Sequence, residues 1–507
     1  MRLYPIRTAV LAAVAGAGAL AASAEAEGRW PTAGWDLVTP ESAGFESAKL
    51  AEAVLRIRAE VPHAHAVFLE MNGQAFLDAS FYPYDGAVMH NLASVTKSVM
   101  TTLIAIAADQ GRVDLDQPML DFFADRTVAN LDERKRRITV RHLTGMVSGL
   151  ACAGEHDEPT LHQMNASPDW VQFTLDLPMA AEPGTTFSYC SPGMHLLSAI
   201  LQEATGATAF DFAKENLFGP LGITEAAWPA DAQGVSHGWG DLRLFPRDAA
   251  KIGYLWINGG RWEGRQIVSE DWVEASSSFK IETGDYWGED YGYGWWILSD
   301  DDDVPGYAAA GRGGQRISVF PTLDIVAVTT GGGIDPGDVL ERLATAMVSP
   351  GEALPENPDG QRALEAALAA VLQPPAPVAP AAPPPLAAEV SGRTYRFAPN
   401  PLGLATIRPE FDAPAVAGFA MTFSDGQPPR EGLVGLDGVL RMFPGEDGVT
   451  AGMRGGWTPD GRLRAEYDGI AMIDAFDLLL SFDGDRLVMA AKDRTYEEGV
   501  TLEGRAD

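Results

Sequence analysis

Apolar positions recur at helical spacing over residues 47–58. They then give way to two short β-prone runs, Ala66-Val67-Phe68-Leu69-Glu70 and Ala75-Phe76-Leu77. Between the runs, Asn72-Gly73 predicts a hairpin turn, because a two-residue turn favours positive φ at its central positions. An almost unbroken apolar stretch over 98–108, stopping near Gly111, predicts a buried helix, and Met194-His195-Leu196-Leu197-Ser198-Ala199-Ile200-Leu201 predicts another. The strand pattern returns at Gln315-Arg316-Ile317-Ser318-Val319-Phe320 and Ile325-Val326-Ala327-Val328-Thr329-Thr330, which flank 321–324 as a second hairpin. A helix around 338–347 follows. Strands at both ends with helices between them make an α+β pattern: an antiparallel sheet flanked by helices, with an all-helical insertion that carries the chemistry.

Beyond residue 350 the pattern changes twice. Residues 362–372 read as a helix and lead into 373–387, whose seven prolines predict an extended, semi-rigid spacer. From 388 to 507, Asp-Gly pairs at 425, 437, 447, 460, 468 and 483 separate short β-prone runs such as 419–423, 439–443 and 478–482. Regular turn signals between short strands predict an all-β meander or small barrel. The expected division is a leader over 1–24, an α+β unit over 30–350, a helix and Pro-rich linker over 351–387, and a β unit over 388–507.

Composition adds bounds to this picture. A chain of 507 residues, 46% of them hydrophobic, exceeds one ordinary domain and can bury a large core. Arg2 and Arg7, the run Ala9-Val10-Leu11-Ala12-Ala13-Val14 and the small residues Ala22-Ser23-Ala24 have the three regions of a secretory leader, which predicts an exported protein, periplasmic or secreted. No other stretch reaches the length of a membrane span. A formal charge of −33 disfavours nucleic acid and anionic membranes as partners. The acidic run 300–303 reads as a solvated loop. In an oxidising compartment, Cys152 and Cys190 are candidates for a disulfide that would contribute on the order of 4 kcal/mol by chain entropy. Two buried thiols are the alternative.

The sharpest local signal is Ser94-Val95-Thr96-Lys97, at the head of the first buried helix. Side chains at i and i+3 share a helix face, so the lysine amine can hydrogen-bond the serine oxygen and ease removal of its proton. The helix N-terminus adds N–H groups and partial positive charge suited to an oxyanion. A serine N-cap followed by a surface lysine is the competing account. The same spacing recurs at Ser277-Ser278-Phe279-Lys280, with no long apolar helix behind it. A third group must carry the proton to a leaving group, and Tyr189, just before the second apolar helix, is placed to serve.

Ser94-Val95-Thr96-Lys97 is one of six ordered motifs. The others are Ile138-Thr139-Val140-Arg141-His142-Leu143-Thr144 leading to Ser148-Gly149-Leu150, Pro183-Gly184 with Phe187-Ser188-Tyr189-Cys190-Ser191, Leu242-Arg243-Leu244-Phe245-Pro246-Arg247-Asp248, Tyr291-Gly292-Tyr293-Gly294-Trp295-Trp296, and Gly311-Arg312-Gly313-Gly314-Gln315. With these, residues 34–350 resemble the class C β-lactamase-like serine hydrolases, a group that includes DD-peptidases, esterases and aminohexanoate-oligomer hydrolases. The resemblance implies a β-lactamase/transpeptidase-like fold, with Ser94 as nucleophile, Lys97 as its activating partner and Tyr189 as the base that becomes the acid, while the sequence leaves open which of Lys97 and Tyr189 takes the serine proton. It places Ser191 where the family often has an asparagine that bonds the lysine and the substrate amide. It also makes the backbone N–H groups of Ser94 and Arg312 the oxyanion hole, with Gly311 allowing close approach of substrate.

The third family motif, Lys-Thr-Gly or His-Thr-Gly in β-lactamases, is Ala309-Ala310-Gly311 here, so a cation and a hydroxyl that would hold a carboxylate are missing. Arg312 either replaces that cation or faces solvent. Trp239 and Tyr291, at loop positions, are candidate walls of a substrate pocket. Gly234-Val235-Ser236-His237-Gly238 matches a nucleophile elbow but lacks the strand before and the helix after, and reads better as a pocket-lining loop. His142 and His195, within helical patterns, read as structural. The function expected is an exported serine hydrolase that cleaves a small-molecule ester or amide without cofactor or metal. The alternatives are a β-lactamase or DD-peptidase and an inactive binding protein.

Overall fold

A computed structural model describes residues 29–506 apart from 153–157, 279–280, 285–287, 299–303, 425, 427, 446–448 and 496–498. The leader 1–24, the acidic run 300–303 and Lys280 lie outside the described residues. In chain order the first strands are β1 (Asp36–Leu37), β2 (Ala64–Met71), β3 (Gln74–Ser80), β4 (His90–Asn91), β5 (Arg243–Leu244), β6 (Arg261–Trp262), β7 (Arg265–Gln266), β8 (Asp290–Tyr291), β9 (Trp296–Ile297), β10 (Tyr307–Gly311), β11 (Gln315–Phe320) and β12 (Ile325–Gly331). Eight of them form one sheet in the order β1-β3-β2-β12-β11-β10-β9-β8. All of its neighbours run antiparallel except the short β1–β3 pair. The two ends of the α+β unit therefore meet at β2 and β12, as the strand pattern predicts. Asn72 and Gly73 take φ of 53° and 74°, the turn that joins β2 to β3.

Helices cover both faces. They are α1 (Ser47–Glu60), α2 (Val95–Asp109), α3 (Glu133–Arg136), α4 (Val140–Thr144), α5 (Pro159–Asn165), α6 (Trp170–Asp176), α7 (Ser191–Thr205), α8 (Ala209–Ala213), α9 (Pro246–Ile257), α10 (Glu270–Ser276), α11 (Pro336–Ala344), α12 (Pro358–Val371) and α13 (Pro385–Val390). On one face α2, α7 and α9 build the larger core with Ile317, Val319, Val326 and Val328. At Gly253 of α9 a Cβ would fall 2.6 Å from Val326 Cγ1, so glycine lets that helix lie directly on the sheet. On the other face α1, α11 and α12 pack against Val67, Leu69, Phe76 and Leu77. Strand β2 is consequently buried at every position, as a strand covered on both sides must be. Helices α3 to α8 form the insertion between β4 and β5.

Helix α12 differs from the linker expected at 351–387. It starts earlier, at Pro358, where the Asn357 side chain accepts from Gly360 N at 3.0 Å. Its Leu364, Ala367 and Val371 join the second core, so it is a layer of the α+β unit. The Pro-rich segment after it is tethered to the β unit, with Val378 N donating to Asp437 O at 2.9 Å.

The last ten strands are β13 (Tyr395–Phe397), β14 (Leu404–Ala413), β15 (Val416–Phe423), β16 (Arg430–Gly435), β17 (Arg441–Pro444), β18 (Thr450–Trp457), β19 (Leu463–Gly469), β20 (Ala475–Asp483), β21 (Arg486–Asp493) and β22 (Gly499–Ala506). Their order is β16-β15-β14-β13-β22-β21-β20-β19-β18-β17, and a parallel β16–β18 pairing closes nine of them into a barrel. Ala387 and Val390 of α13 are part of the barrel core. Gly438, Gly461 and Gly484 take the positive φ expected of Asp-Gly turns. Asp468-Gly469 is an exception: it ends β19, and Asp468 is buried against the α+β unit. Ile470 and Ala471 next to it share an apolar cluster with Ala66 and Tyr84, and Ala471 O accepts from Asn91 N at 2.8 Å.

If α12 belongs to the core, Leu364→Ala lowers the unfolding free energy of the α+β unit by about 2–5 kcal/mol, read from urea melts. A loss below about 0.5 kcal/mol would return α12 to the linker.

Candidate active site

Strand β4 runs into a tight turn at Leu92-Ala93. Ala93 has φ of 47°, a left-handed conformation that costs an alanine roughly 1–2 kcal/mol. The surroundings impose it. Leu92 N donates to Leu242 O at 2.9 Å, and Ala93 N donates to Asn91 Oδ1 at 2.8 Å. Thr96 Oγ1 donates to Ala93 O at 2.6 Å while accepting from Leu242 N at 3.1 Å. Ser94 follows, at the N-cap position of α2 but with no capping bond from its side chain. Its Oγ instead accepts from Lys97 Nζ at 2.8 Å, and Lys97 is 2% exposed. The N-cap and surface-lysine account fails on both counts.

Lys97 Nζ also donates to Trp239 O at 2.8 Å and lies 4.8 Å from the centre of the Tyr189 ring. Burial pulls its pKa down to about 8, against the carboxylates of Glu158 and Asp241, which favour the charged form. Burial also pushes the Asp241 carboxyl up, but hydrogen bonds from His237 and Asn91 outweigh it and hold the group below its usual range. The bonds measure 2.9 Å from His237 Nδ1 and 3.1 Å from Asn91 Nδ2. Asn91 thus braces the Ser94 turn and the carboxylate that faces the lysine.

Tyr189 is 7% exposed, and its ring stacks on Trp296 with centroids 6.0 Å apart. Cys190, the next residue, is disulfide-bonded to Cys152 and caps α7. Ser191 departs from the expectation that it bonds the lysine. It is 1% exposed and its hydroxyl donates to Glu158 Oε2, so it orients that carboxylate, and the second partner of Lys97 is the Trp239 carbonyl. The shorter side chain of serine leaves the role of the family asparagine to other groups.

Gly311 ends β10, on which Ala309 and Ala310 are buried. A Cβ at Gly311 would fall 2.6 Å from Leu92 O and 3.0 Å from Ser94 N, so glycine is what lets the strand end reach the serine turn. The Arg312 side chain fits neither account given from sequence. Its guanidinium is held by barrel residues, with hydrogen bonding to Thr495 Oγ1 and ion pairs to Asp474 at 3.5 Å and Asp493 at 3.6 Å. Charge complementarity with a neighbouring unit was outside the reach of a motif.

Other predicted residues fall in different places. Tyr291, expected as a pocket wall, is 1% exposed and packs edge-on against Trp296 at 4.8 Å, because β8 turns it into the core. Trp239 is half-buried, stacked on His237 at 5.5 Å, with Trp170 beside them. The 234–238 loop has no strand–helix elbow: Ser236 is buried and Gly238 packs on α7, where a Cβ would lie 2.1 Å from Met194 O. His142 closes a capping box with Thr139, and His195 pairs with Asp231 at 3.1 Å. Ser277 Oγ donates to Val273 O at the end of α10. Glu158, Asn91, His237 and Asp241 were missed by sequence reasoning, since no spacing ties them to Ser94.

A serine, a buried lysine and a tyrosine meet at the junction of a mostly antiparallel sheet and a helical insertion, in the fold of the β-lactamase-type serine hydrolases. The chain belongs to the β-lactamase family, whose Beta-lactamase model matches residues 65–369. It is similar to penicillin-binding protein 4 of Amycolatopsis lactamdurans, with 27% identity over 281 residues, 48% of this chain and 71% of that protein. It is also similar to the 6-aminohexanoate-dimer hydrolase of Paenarthrobacter ureafaciens, with 25% identity over 291 residues, 53% of this chain and 73% of that protein. Among solved structures, EstCE1, a hydrolase with promiscuous acyltransferase activity, shares the fold with TM-score 0.51 and 16% identity over 59% of this chain and 99% of that one.

Replacing Gly311 by alanine tests the close approach. Gly311→Ala is expected to fold with a loss of about 1–3 kcal/mol, and to slow fluorophosphonate labelling of the protein at least about tenfold by displacing the Ser94 turn. Unchanged labelling would show that the strand end and the turn are not coupled.

Proposed function

We propose that the protein is an exported serine hydrolase that cleaves a small ester or amide through an acyl-enzyme on Ser94. The observation that carries this reading is the Lys97 amine, buried, 2.8 Å from Ser94 Oγ and with its pKa drawn down to about 8. A neutral amine keeps a lone pair for the serine proton while donating to Trp239 O. Ser94 Oγ then attacks the substrate carbonyl, and its proton passes to Lys97. The backbone N–H groups of Ser94 and Arg312 receive the oxyanion, a role supported by the approach of Gly311 to Ser94 N. Tyr189, beside Lys97, relays the proton to the leaving alcohol or amine as the carbon–heteroatom bond breaks. Water repeats the sequence on the acyl-enzyme, releasing the acid and restoring Ser94.

The substrate class rests on Ala309-Ala310-Gly311, which offers no cation or hydroxyl to a carboxylate, and on the engagement of Arg312 by Asp474 and Asp493. Both favour a small neutral acyl group over a β-lactam or a peptide terminus. The relative named for hydrolysing a 6-aminohexanoate dimer supports an amide as one form of that substrate. Export rests on the leader pattern at 1–24. With it goes a division into a hydrolase unit that ends with α12 and a barrel that begins at α13.

A panel of short-chain nitrophenyl esters, linear amide oligomers and a chromogenic cephalosporin tests the reading. Wild type should turn over esters or amides faster than the cephalosporin, and Ser94→Ala should lose at least about 1,000-fold in kcat. Efficient cephalosporin turnover would move the protein to the β-lactamases, and absence of all turnover with no fluorophosphonate labelling would leave a binding protein. With Lys97 titrating near 8 and its neutral form active, kcat/KM for an ester rises with pH through about 8 and then levels. A profile flat from pH 6 to about 9 would remove Lys97 as the proton acceptor.

A further inference from the structure

Three polar side chains form a buried chain from the barrel to the backbone carbonyl of Asn91, in the strand that precedes Ser94, and the reaction proposed above uses none of them. Asp468 of β19, 4% exposed, lies 3.3 Å from His65 Nε2. His65 Nδ1 is 2.8 Å from His90 Nε2, and His90 Nδ1 is 2.8 Å from Asn91 O. Both imidazoles are fully buried. Asn91 is the residue whose side chain accepts from Ala93 N, whose amide donates to barrel residue Ala471, and whose Nδ2 holds Asp241.

Proton placement along this chain follows from which groups can only accept. A carbonyl oxygen cannot donate, so His90 Nδ1 carries a hydrogen. Burial, reinforced by neighbouring His65, holds the pKa of His90 down at about 3, so His90 is neutral and its Nε2 is a bare acceptor. His65 Nδ1 must therefore donate. His65 Nε2 faces Asp468 Oδ1, so the ring is held with Nδ1 toward His90 and Nε2 toward the carboxylate. Burial pushes the Asp468 carboxyl up, but His65 and His63 outweigh that and hold it well below the usual range.

We propose that Asp468 of the barrel is a positioning residue for the nucleophile: through His65 and His90 it holds Asn91, and so the Ala93-Ser94 turn, in the geometry that reacts. The inference rests on Ser94 being the nucleophile. The other groups around Asp468 and His65 are accounted for. His63 Nδ1 lies 3.5 Å from Asp468 Oδ2 and 3.3 Å from Arg494 Nη1, and Arg494 in turn pairs with Asp477 at 3.2 Å. The Tyr84 ring stacks on His65 at 6.0 Å, and its hydroxyl donates to Val88 O.

Two variants of the full chain separate positioning from packing. Asp468→Leu fills the same space but removes the carboxylate that faces His65 Nε2. Asp468→Asn can donate an amide hydrogen to a neutral His65 Nε2, which preserves the direction of every bond toward Asn91. On a short-chain nitrophenyl ester, Asp468→Leu should lose at least about tenfold in kcat with KM within about threefold, and Asp468→Asn should recover most of the loss. Histidine ring spectra of wild type, assigned with His65→Gln, should show a hydrogen on His65 Nδ1 bonded to His90 Nε2, and Asp468→Asn should keep it. Fluorophosphonate labelling of wild type at Ser94 checks the nucleophile, and the ratio of labelling rates between variants checks Asp468. Loss of wild-type labelling thus defeats the nucleophile reading alone. No hydrogen on His65 Nδ1 in wild type, kcat of Asp468→Leu within about twofold of wild type, or an Asn variant no better than the Leu variant would overturn the positioning role. The spectrum of wild type decides the matter even if Asp468→Leu does not fold.

Discussion

An amine removed from water must be held by acceptors or bind its proton less tightly, and both hold for Lys97 within reach of Ser94. Its bonds to Ser94 Oγ and Trp239 O and the descent of its pKa to about 8 are two sides of one desolvation. Much of the surrounding structure is the set of conditions that makes this burial tolerable. Glu158 and Asp241 temper the shift, and each is itself oriented, Glu158 by Ser191 and Asp241 by His237 and Asn91. Without such counter-charges a lysine this deeply buried would titrate lower still.

Close packing has the same origin. The amine can be excluded from water only if helix α2, the β10 end and the loop at 237–241 converge, and each convergence depends on a position where a side chain would collide. Gly311 meets the Ser94 turn, Gly238 meets α7, and Gly294 meets Thr101 of α2, where a Cβ would lie 2.2 Å from Thr101 Oγ1. Ala93 accepts a left-handed backbone for the same reason, held by bonds to Asn91 and Thr96. Strain of this kind persists where neighbours over-determine it, which is common at reacting centres.

The barrel is joined to this arrangement through polar groups. It neutralises Arg312 with Asp474 and Asp493, grips Asn91 through the Ala471 carbonyl, and sets a carboxylate against His63 and His65. Charged groups that meet away from water must be paired, so these contacts fix the relation between barrel and site more narrowly than an apolar patch would. The same pairing engages the Arg312 guanidinium, next to Ala309-Ala310-Gly311, with carboxylates of the barrel.

Local chemistry in the chain determined the parts that depend on neighbours a few residues away. The hairpins at Asn72-Gly73 and 321–324, the buried helices behind Ser94 and Tyr189, and the Ser94–Lys97 pair are all products of periodicity or short spacing, which is why they were legible. Tertiary structure decided the rest, because those groups are brought together only by folding. Trp239 accepts from a lysine 142 residues before it, and Ser191 turns to Glu158. Tyr291 goes to the core, α12 joins the sheet, and Asp468 looks like a turn residue in the sequence until β19 buries it against two histidines some 400 positions earlier in the numbering. Burial and charge pairing are properties of the assembled fold, and they set the pKa values and partners on which the chemistry rests.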